Sequence, residues 1–206
     1  MRTKLVIACG ALAREIAELR RANGWTALDV ICLPPELHNR PERIAGAVRE
    51  KIRIHRKDYA EIFVAYGACG TRGALDEVLR EEGVERIAGA HCYEFFATPG
   101  VFAALADAEP GSFYLTDFLL RHFDRLVFRG LGIDQHPGLL PVYFGNYRRV
   151  VYLAQAPKPE SEVRAREIAA RLGLEFEIRI TGYGGLGTSL AAFAGRPRVV
   201  TWPASP

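Results

Sequence analysis

Three features that the sequence lacks narrow the class to which this protein can belong. No apolar run approaches the ~20 residues that a membrane-spanning helix needs, so we expect no membrane partner. The net charge is only +3, from 27 basic and 24 acidic side chains in 206 residues, so we expect no nucleic-acid partner either. The apolar stretch near the N-terminus is too short for the core of a signal peptide. We therefore expect a cytoplasmic protein.

Short apolar runs alternate with longer amphipathic stretches over the first half of the chain. Four such runs end at Ala8, Leu33, Tyr66 and Ala90, and helical patterns follow the first three of them. This order predicts a three-layer α/β fold with a central, mainly parallel sheet and helices on both faces. We expect one α/β domain over residues 1–206, because no flexible linker interrupts the pattern.

The second half of the chain is less regular. Residues 130–146 contain four glycines and two prolines, which predicts a long loop. The other predicted elements are helices over 93–108, 116–127, 160–172 and 189–194 and strands over 149–155, 174–180 and 198–202. Glycine-rich turns at 66–71 and 183–188 are similar, which suggests pseudo-repeat halves, 1–128 and 147–206, joined by an irregular segment. The alternative is that compact βαβ units simply have similar lengths.

All four cysteines fall at predicted strand ends, although none forms a CxxC pair. Cys9 and Cys69 also precede predicted helices, whose N-terminal partial charge would favour the thiolate. Because parallel strands end at the same edge of a sheet, Cys9, Cys69 and Cys92 can converge there as metal ligands. With the imidazole of His91 they would suit zinc, and three sulfurs alone would suit a catalytic zinc or an iron–sulfur cluster.

Other interpretations of the cysteines stay open. They can be ordinary buried cysteines, which are common in α/β cores. Cys32 is the weakest candidate ligand, and His38, further along its loop, could approach the site instead. If residues 91 and 92 are extended, their side chains point to opposite faces, and we then prefer Cys92 as the ligand.

Two glycine-rich turns are candidate binding sites for an anionic small molecule or cofactor. Gly70 with Thr71, and Gly187 with Thr188, lie between a predicted strand and a predicted helix, where free amides and a hydroxyl can hold a phosphate or carboxylate. Neither turn is a dinucleotide fingerprint or a P-loop. The alternative is a tight turn that only permits close packing.

Glu94 and His122 are the candidate catalytic acid–base residues. Next to a metal, Glu94 could serve as a general base, whereas the alternative is a solvated carboxylate at a helix start. His122 is close in sequence to Asp124, but residues two apart on a helix do not face each other, which favours a structural role. The basic run over 49–57 predicts a solvated face or a weak docking patch for an acidic partner.

Several short strings of the sequence are distinctive when taken together. They are Ala8-Cys9-Gly10-Ala11-Leu12, Leu37-His38-Asn39-Arg40-Pro41, Tyr66-Gly67-Ala68-Cys69-Gly70-Thr71, His91-Cys92-Tyr93-Glu94, Leu115-Thr116-Asp117-Phe118-Leu119 and Tyr143-Phe144-Gly145-Asn146-Tyr147. In these strings the chain resembles a bacterial and archaeal family of unknown function whose members can accompany corrinoid-dependent methyltransferases. The resemblance implies one-carbon or methyl-group metabolism, with an indirect link to a corrinoid, and no particular reaction.

Three functional hypotheses follow. The leading one is a metal–thiolate-centred enzyme that acts on a small, anionic molecule, in methyl-group transfer, with zinc or an iron–sulfur cluster as cofactor. The second is a non-catalytic accessory protein that carries a metal or cofactor for a corrinoid methyltransferase partner. The third is a metal-free domain that binds a small molecule.

Overall fold

The chain is described here by a computed structural model that covers residues 3–195, and the strand predicted over 198–202 lies outside the described residues. These residues form two compact units, each with its own parallel sheet. Unit 1 comprises residues 3–95 and 183–195, and unit 2 comprises residues 96–182. The strands that we expected in one central sheet are therefore divided between two sheets.

The elements follow one another in chain order. The first are β1 (Lys4–Cys9), α1 (Ala13–Asn23), β2 (Leu28–Leu33), α2 (Ile44–His55), β3 (Glu61–Ala65), α3 (Ala74–Glu82), β4 (Glu85–Arg86) and α4 (Cys92–Ala97). Unit 2 continues with α5 (Pro99–Ala108), β5 (Ser112–Thr116), α6 (Asp117–Phe123), α7 (Leu140–Phe144), β6 (Arg149–Ala154), α8 (Pro159–Leu172) and β7 (Glu175–Ile180). The last helix, α9 (Gly184–Ala194), returns to unit 1.

The sheet of unit 1 has the strand order β2-β1-β3-β4, and all neighbouring strands are parallel. The central strand β1 is apolar on both faces because helices cover both. On one face, Ile7 and Val64 pack with residues of α2 and α3. On the other face, Phe63 stacks on Phe193 of α9, with ring centroids 5.1 Å apart. This arrangement leaves the strand ends free to carry loops.

The sheet of unit 2 has the order β5-β6-β7, again with parallel neighbours. Its central strand β6 is buried from Val150 to Ala154. Tyr152 shares a core with residues of α6 and α8 on one face. On the opposite face, Phe102 of α5 contacts Tyr114, with ring centroids 4.9 Å apart. The predicted mainly parallel α/β class, with helices on both sheet faces, is confirmed in both units.

The structure corrects several predicted elements. Strand β5 was not predicted, because it has only five residues and lies between two aromatic-rich helical patterns. Its alternation of side chains is too short to be recognised in the sequence. The strand predicted over 85–90 ends at Arg86, and Gly89 then adopts a positive φ of 133°. The predicted loop over 130–146 contains α7 and a 3-10 turn over 137–139.

The basic run over 49–57 contributes to the packing of α2 against α3. Arg53 donates to Glu82 at 2.7 Å, and Arg56 reaches the same carboxylate at 2.7 Å. Arg49 pairs with Glu81. Three of the five Arg and Lys side chains of the run are thus paired within the unit, and its role as a docking patch stays a prediction. Among residues 3–195, none of the helices has the length and apolar character needed to cross a bilayer.

Candidate functional site

Three cysteines lie together at the carboxyl edge of the sheet in unit 1. Cys9 is the last residue of β1, Cys69 lies in the loop after β3, and Cys92 begins α4. All three are half-buried. Cys9 raises the pKa of Cys69, and both of them raise the pKa of Cys92, so the thiols are close enough to influence one another. Their role as metal ligands stays a prediction.

Direct contact between two loops explains why Cys69 and Cys92 are neighbours. The Cys69 amide donates to the Ala90 carbonyl at 2.8 Å, and the Ala68 amide donates to the Gly89 carbonyl at 3.2 Å. A Cβ on Gly67 would lie 3.1 Å from the Ala90 oxygen, so only glycine allows this approach without displacement. Cys69 itself has a positive φ of 44°, which is uncommon for a residue with a side chain and typical of functional loops.

Arg86 fixes the second of these loops. Its guanidinium donates to Asp76 of α3 at 2.6 Å and to the carbonyls of Ile87 and Gly89 at 2.8 and 3.1 Å. Its positive charge also lowers the pKa of Cys69, although burial raises that pKa more. Sequence reasoning missed Arg86, because nothing in its local sequence indicates these contacts.

The predicted lowering of the thiol pKa values is wrong. Burial is the largest influence on Cys9, Cys69 and Cys92, and it raises the pKa of each, that of Cys69 to about 11. The Ala11 amide lowers the pKa of Cys9, and the Tyr93 amide lowers that of Cys92, in the direction expected for thiols that precede helices. Burial outweighs both amides, so the thiols are protonated at neutral pH when nothing is bound.

Two histidines lie at the rim of the thiol cluster. His38 belongs to the 3-10 helix over Pro35–Asn39 that follows β2, and His91 immediately precedes Cys92. Both are exposed. Burial of part of the ring and the charge of His91 lower the pKa of His38, so the two imidazoles are neighbours. A Cβ on Gly10 would lie 2.8 Å from the Pro35 ring, which shows how closely this 3-10 helix approaches the end of β1.

Cys32 lies on the neighbouring strand β2, and burial together with the nearby Cys9 thiol raises its pKa. It pairs with Ala8 in the β1–β2 register, whereas Cys9 pairs with Leu33. Because side chains alternate along a strand, Cys32 points away from the face that carries Cys9. It is the exposed member of the four cysteines.

Tyr66 is a site residue that sequence reasoning did not single out. It follows the last residue of β3, and the register that pairs Ala8 with Ala65 brings it beside Cys9 on the same face. Tyr66 is 2% exposed, and burial together with its contact with the Cys9 thiol raises the pKa of its hydroxyl. Cys9 and Cys69 pack against the same buried core that contains Tyr66.

The candidate catalytic residues have different surroundings. Glu94 is half-buried in unit 1, and its carboxylate accepts a hydrogen bond from the Ala90 amide at 3.2 Å. That contact fixes the start of α4, so Glu94 lies beside the loop that leads to Cys92. His122 lies in unit 2, outside the unit that contains the thiols, and its ring is 4.7 Å from that of Phe118. Asp124 accepts a hydrogen bond from Arg171 at 2.6 Å instead of facing His122, which favours a structural role for this segment.

One of the two predicted anion-binding turns differs from expectation. Helix α9 begins at Gly184, so Gly187 and Thr188 lie inside a helix and not in a turn. The Gly187 amide donates to the Tyr183 carbonyl at 3.1 Å, and this hydrogen bond occupies the donor that an anion would need. Gly70 and Thr71 do lie in a loop. The Thr71 amide donates to Ala68 at 2.8 Å, and its buried hydroxyl has no hydrogen-bond partner within residues 3–195.

Unit 2 has a polar cluster at the carboxyl edge of its own sheet. The buried Asp117 carboxylate accepts from the Tyr152 hydroxyl at 2.7 Å and from the amides of Gln155 and Ala156 at 3.2 and 3.0 Å. The Asp117 amide donates to the Gln155 side chain at 2.8 Å. Because these groups satisfy one another, the cluster is a structural network that joins β5 to β6.

An open groove of about 410 Å³ lies at the opposite, amino-terminal end of the sheet in unit 1. Its lining includes Arg56, Glu61, Phe63, Glu85 and Phe193. Neither a thiol nor an imidazole lines it.

The donor groups at that edge are of the types that bind soft metal ions. Three thiols and two imidazoles are the ligand types that zinc and iron–sulfur clusters take. The buried Thr71 hydroxyl, which has no hydrogen-bond partner within residues 3–195, lies on the same segment of chain as Cys69. Within residues 3–195, however, no group of three or more His, Cys, Asp or Glu side chains is arranged so that it could hold a metal ion.

Fold and site together define a parallel α/β protein with a thiol cluster at one sheet edge. The chain belongs to the family described as "Protein of unknown function (DUF1638)", whose model matches residues 32–190, more than half of the chain. The match includes Cys69 and Cys92, whereas Cys9 precedes it. The expected membership of a family of unknown function is thereby confirmed. None of the curated proteins compared with the chain matches it.

Proposed function

We propose that Cys9, Cys69 and Cys92 bind a metal ion or cluster and that the protein is a metal–thiolate enzyme acting on a small molecule. The observation that carries the proposal is the position of the three cysteines, at the end of β1, in the loop after β3 and at the start of α4, along the carboxyl edge of one parallel sheet. That edge is where open α/β sheets bind their ligands.

The proposed ligands must move before they can enclose a metal. The thiols are half-buried and, within residues 3–195, not arranged around one point, so the proposal includes side-chain rotation on metal binding. His91 is the proposed fourth ligand, and its neighbour His38 is the alternative. A bound cation would also lower the thiol pKa values that burial raises, because its positive charge favours the deprotonated sulfur.

The remaining residues have roles in the proposed reaction. A bound metal would supply Lewis acidity or an activated thiol. Glu94, which is held beside the loop that carries Cys92, is the proposed base. Gly70 and Thr71 are the proposed contacts for an anionic group of the substrate. From the family resemblance, we propose that the reaction is methyl-group transfer and that the protein acts together with a corrinoid protein.

A second candidate function is supported by the exposure of the rim. His38 and His91 are both exposed, so a metal or cofactor held there would be accessible to another protein. On this alternative the protein carries a metal or cofactor for a methyltransferase. Isolation together with a larger partner, and absence of turnover by the protein alone, would favour the carrier function over the enzyme.

Metal analysis of protein purified anaerobically without a histidine tag tests the metal site. We expect close to one equivalent of zinc, or an iron content that indicates a cluster, in the wild type. Cys69→Ser should lose the metal, whereas Cys32→Ser is the matched control and should retain it, because Cys32 points to the other face. A wild type without zinc or iron, or equal metal loss in both variants, would contradict the proposal. The visible spectrum then distinguishes a brown iron–sulfur protein from a colourless zinc protein.

A further inference from the structure

Strand β7 is an edge strand of the sheet in unit 2, and within residues 3–195 no strand pairs with its outer side. The amides of Glu175 and Thr181 donate to carbonyls at the two ends of β6, at 3.0 and 2.9 Å, so the backbone groups of odd-numbered residues face β6. Because these groups alternate along a strand, those of Phe176, Ile178 and Ile180 point outwards. An outward row of amides and carbonyls is a template for a further strand.

The two faces of β7 carry different side chains. Phe176 and Ile178 pack against the core that contains α8. Glu177 and Arg179 lie on the opposite face, where they form an ion pair at 2.6 Å. Ile180 continues the apolar row, yet it is 47% exposed. Because β7 contains neither proline nor glycine, nothing in its sequence interrupts pairing along the outer side.

A second copy of β7 fits this edge in one register. If two copies pair antiparallel, outward residues must lie opposite outward residues, so the two-fold axis passes through a residue. Among the registers that pair three or more residues of β7, an axis at Phe176 or Glu177 places glutamates opposite each other, and an axis at Arg179 places two arginines opposite each other. Like charges directly opposite are destabilising. An axis at Ile178 instead places Glu177 opposite Arg179 twice.

The register centred on Ile178 also matches the apolar row. Phe176 lies opposite Ile180 of the second copy, and Ile178 lies opposite its own equivalent. Aromatic and β-branched pairs of this kind stabilise antiparallel strands. Because all of these residues point outwards, each pair exchanges two backbone hydrogen bonds. The charges, the apolar row and the direction of the backbone groups thus favour the same register.

We propose that the protein forms a symmetric dimer in which β7 pairs antiparallel with β7 of a second copy, about a two-fold axis at Ile178. The two three-stranded sheets then form one continuous sheet across the axis. The same surface meets itself, as a two-fold interface requires. This inference is independent of the proposed metal–thiolate function.

Sedimentation equilibrium over a range of protein concentrations tests the dimer, which the wild type should form. Arg179→Glu and Glu177→Arg should each dimerise about 10-fold or more weakly, because like charges then face each other twice. An equal mixture of these two variants should recover dimerisation, since a carboxylate again faces a guanidinium at both positions. Arg179→Lys is the matched control, because it keeps the charge, and it should dimerise like the wild type.

Ile180→Pro tests the pairing without changing charge. It removes an outward amide that does not bond β6, so the circular dichroism spectrum should be unchanged while the dimer is lost. A wild type that is monomeric at every concentration would overturn the proposal. A dimer that survives Ile180→Pro and both charge reversals would overturn it, because the interface would lie elsewhere. Loss of the dimer in both charge variants without recovery in the mixture would overturn it too, because the substitutions would then act on the fold of each subunit.

Discussion

Replacing Gly67 by alanine is the most direct test of the contact between the two loops of the site. The new Cβ would lie 3.1 Å from the Ala90 carbonyl oxygen and 3.2 Å from the backbone of His91. Ordinary contacts of a Cβ lie at 3.4–4 Å, so the loops must separate by a few tenths of an ångström. Backbone cannot rotate out of the way as the end of a flexible side chain can. We therefore expect both loops to shift.

The size of the loss in stability follows from the contacts between the two loops that this shift disturbs. The hydrogen bonds from Cys69 to Ala90 and from Ala68 to Gly89, at 2.8 and 3.2 Å, both cross the gap that must widen. Inserting a methyl group into a packed site costs about 1–3 kcal/mol, and each weakened hydrogen bond adds up to about 1 kcal/mol. We expect Gly67→Ala to lower the free energy of unfolding by about 1–5 kcal/mol.

Urea unfolding monitored by circular dichroism measures this change, with Gly46→Ala as the matched control. Gly46 lies within α2, and nothing lies within 4 Å of the position of its added Cβ. That substitution should raise the free energy of unfolding by about 0.5–1 kcal/mol, because alanine favours the helix. Gly67→Ala should also retain less zinc or iron on purification, since the loops carry Cys69 and Cys92. Equal stability of the two variants would refute the reasoning.

Two further predictions concern polar contacts outside the thiol cluster. Tyr152→Phe should lower the free energy of unfolding by about 1.5–3 kcal/mol, because the buried Asp117 carboxylate loses its 2.7 Å hydrogen bond from the hydroxyl; an unchanged urea midpoint would contradict this. Arg86 lowers the pKa of Asp76 below the usual aspartate value. The stabilisation by this pair is therefore present at neutral pH and is lost as the pH falls through the lowered pKa. Asp76→Asn should weaken the acid dependence of stability, and an identical pH profile would argue against the pair.

The parts of the fold that were predicted correctly have strong local signals. Strand β2 ends at Leu33, as predicted, because Pro34 stops a short apolar run. Helix α8 was predicted to within one residue, since Pro159 and Gly173 mark its ends. The division into two sheets was not predicted, because the pattern of strands and helices along the chain does not determine which strands pair.

The candidate site was predictable only where strand ends indicated it. The grouping of Cys9, Cys69 and Cys92 follows from parallel strands that end at one edge. The importance of Tyr66 and Arg86 could not be predicted, because it depends on cross-strand register and on contacts with loop carbonyls. A signal that could have indicated Tyr66 is its position directly after a buried strand, where a polar atom needs a partner.

The two hydrogen bonds between the loop after β3 and the loop before α4 have a consequence for evolution and for engineering. Amides of one loop donate to carbonyls of the other and so fix the distance between Cys69 and Cys92. Neither loop can therefore change its length or shape independently. In homologous sequences, we expect insertions and glycine substitutions in these segments to occur together. A designer who transplants the thiols to another parallel sheet must therefore transfer both segments as one piece.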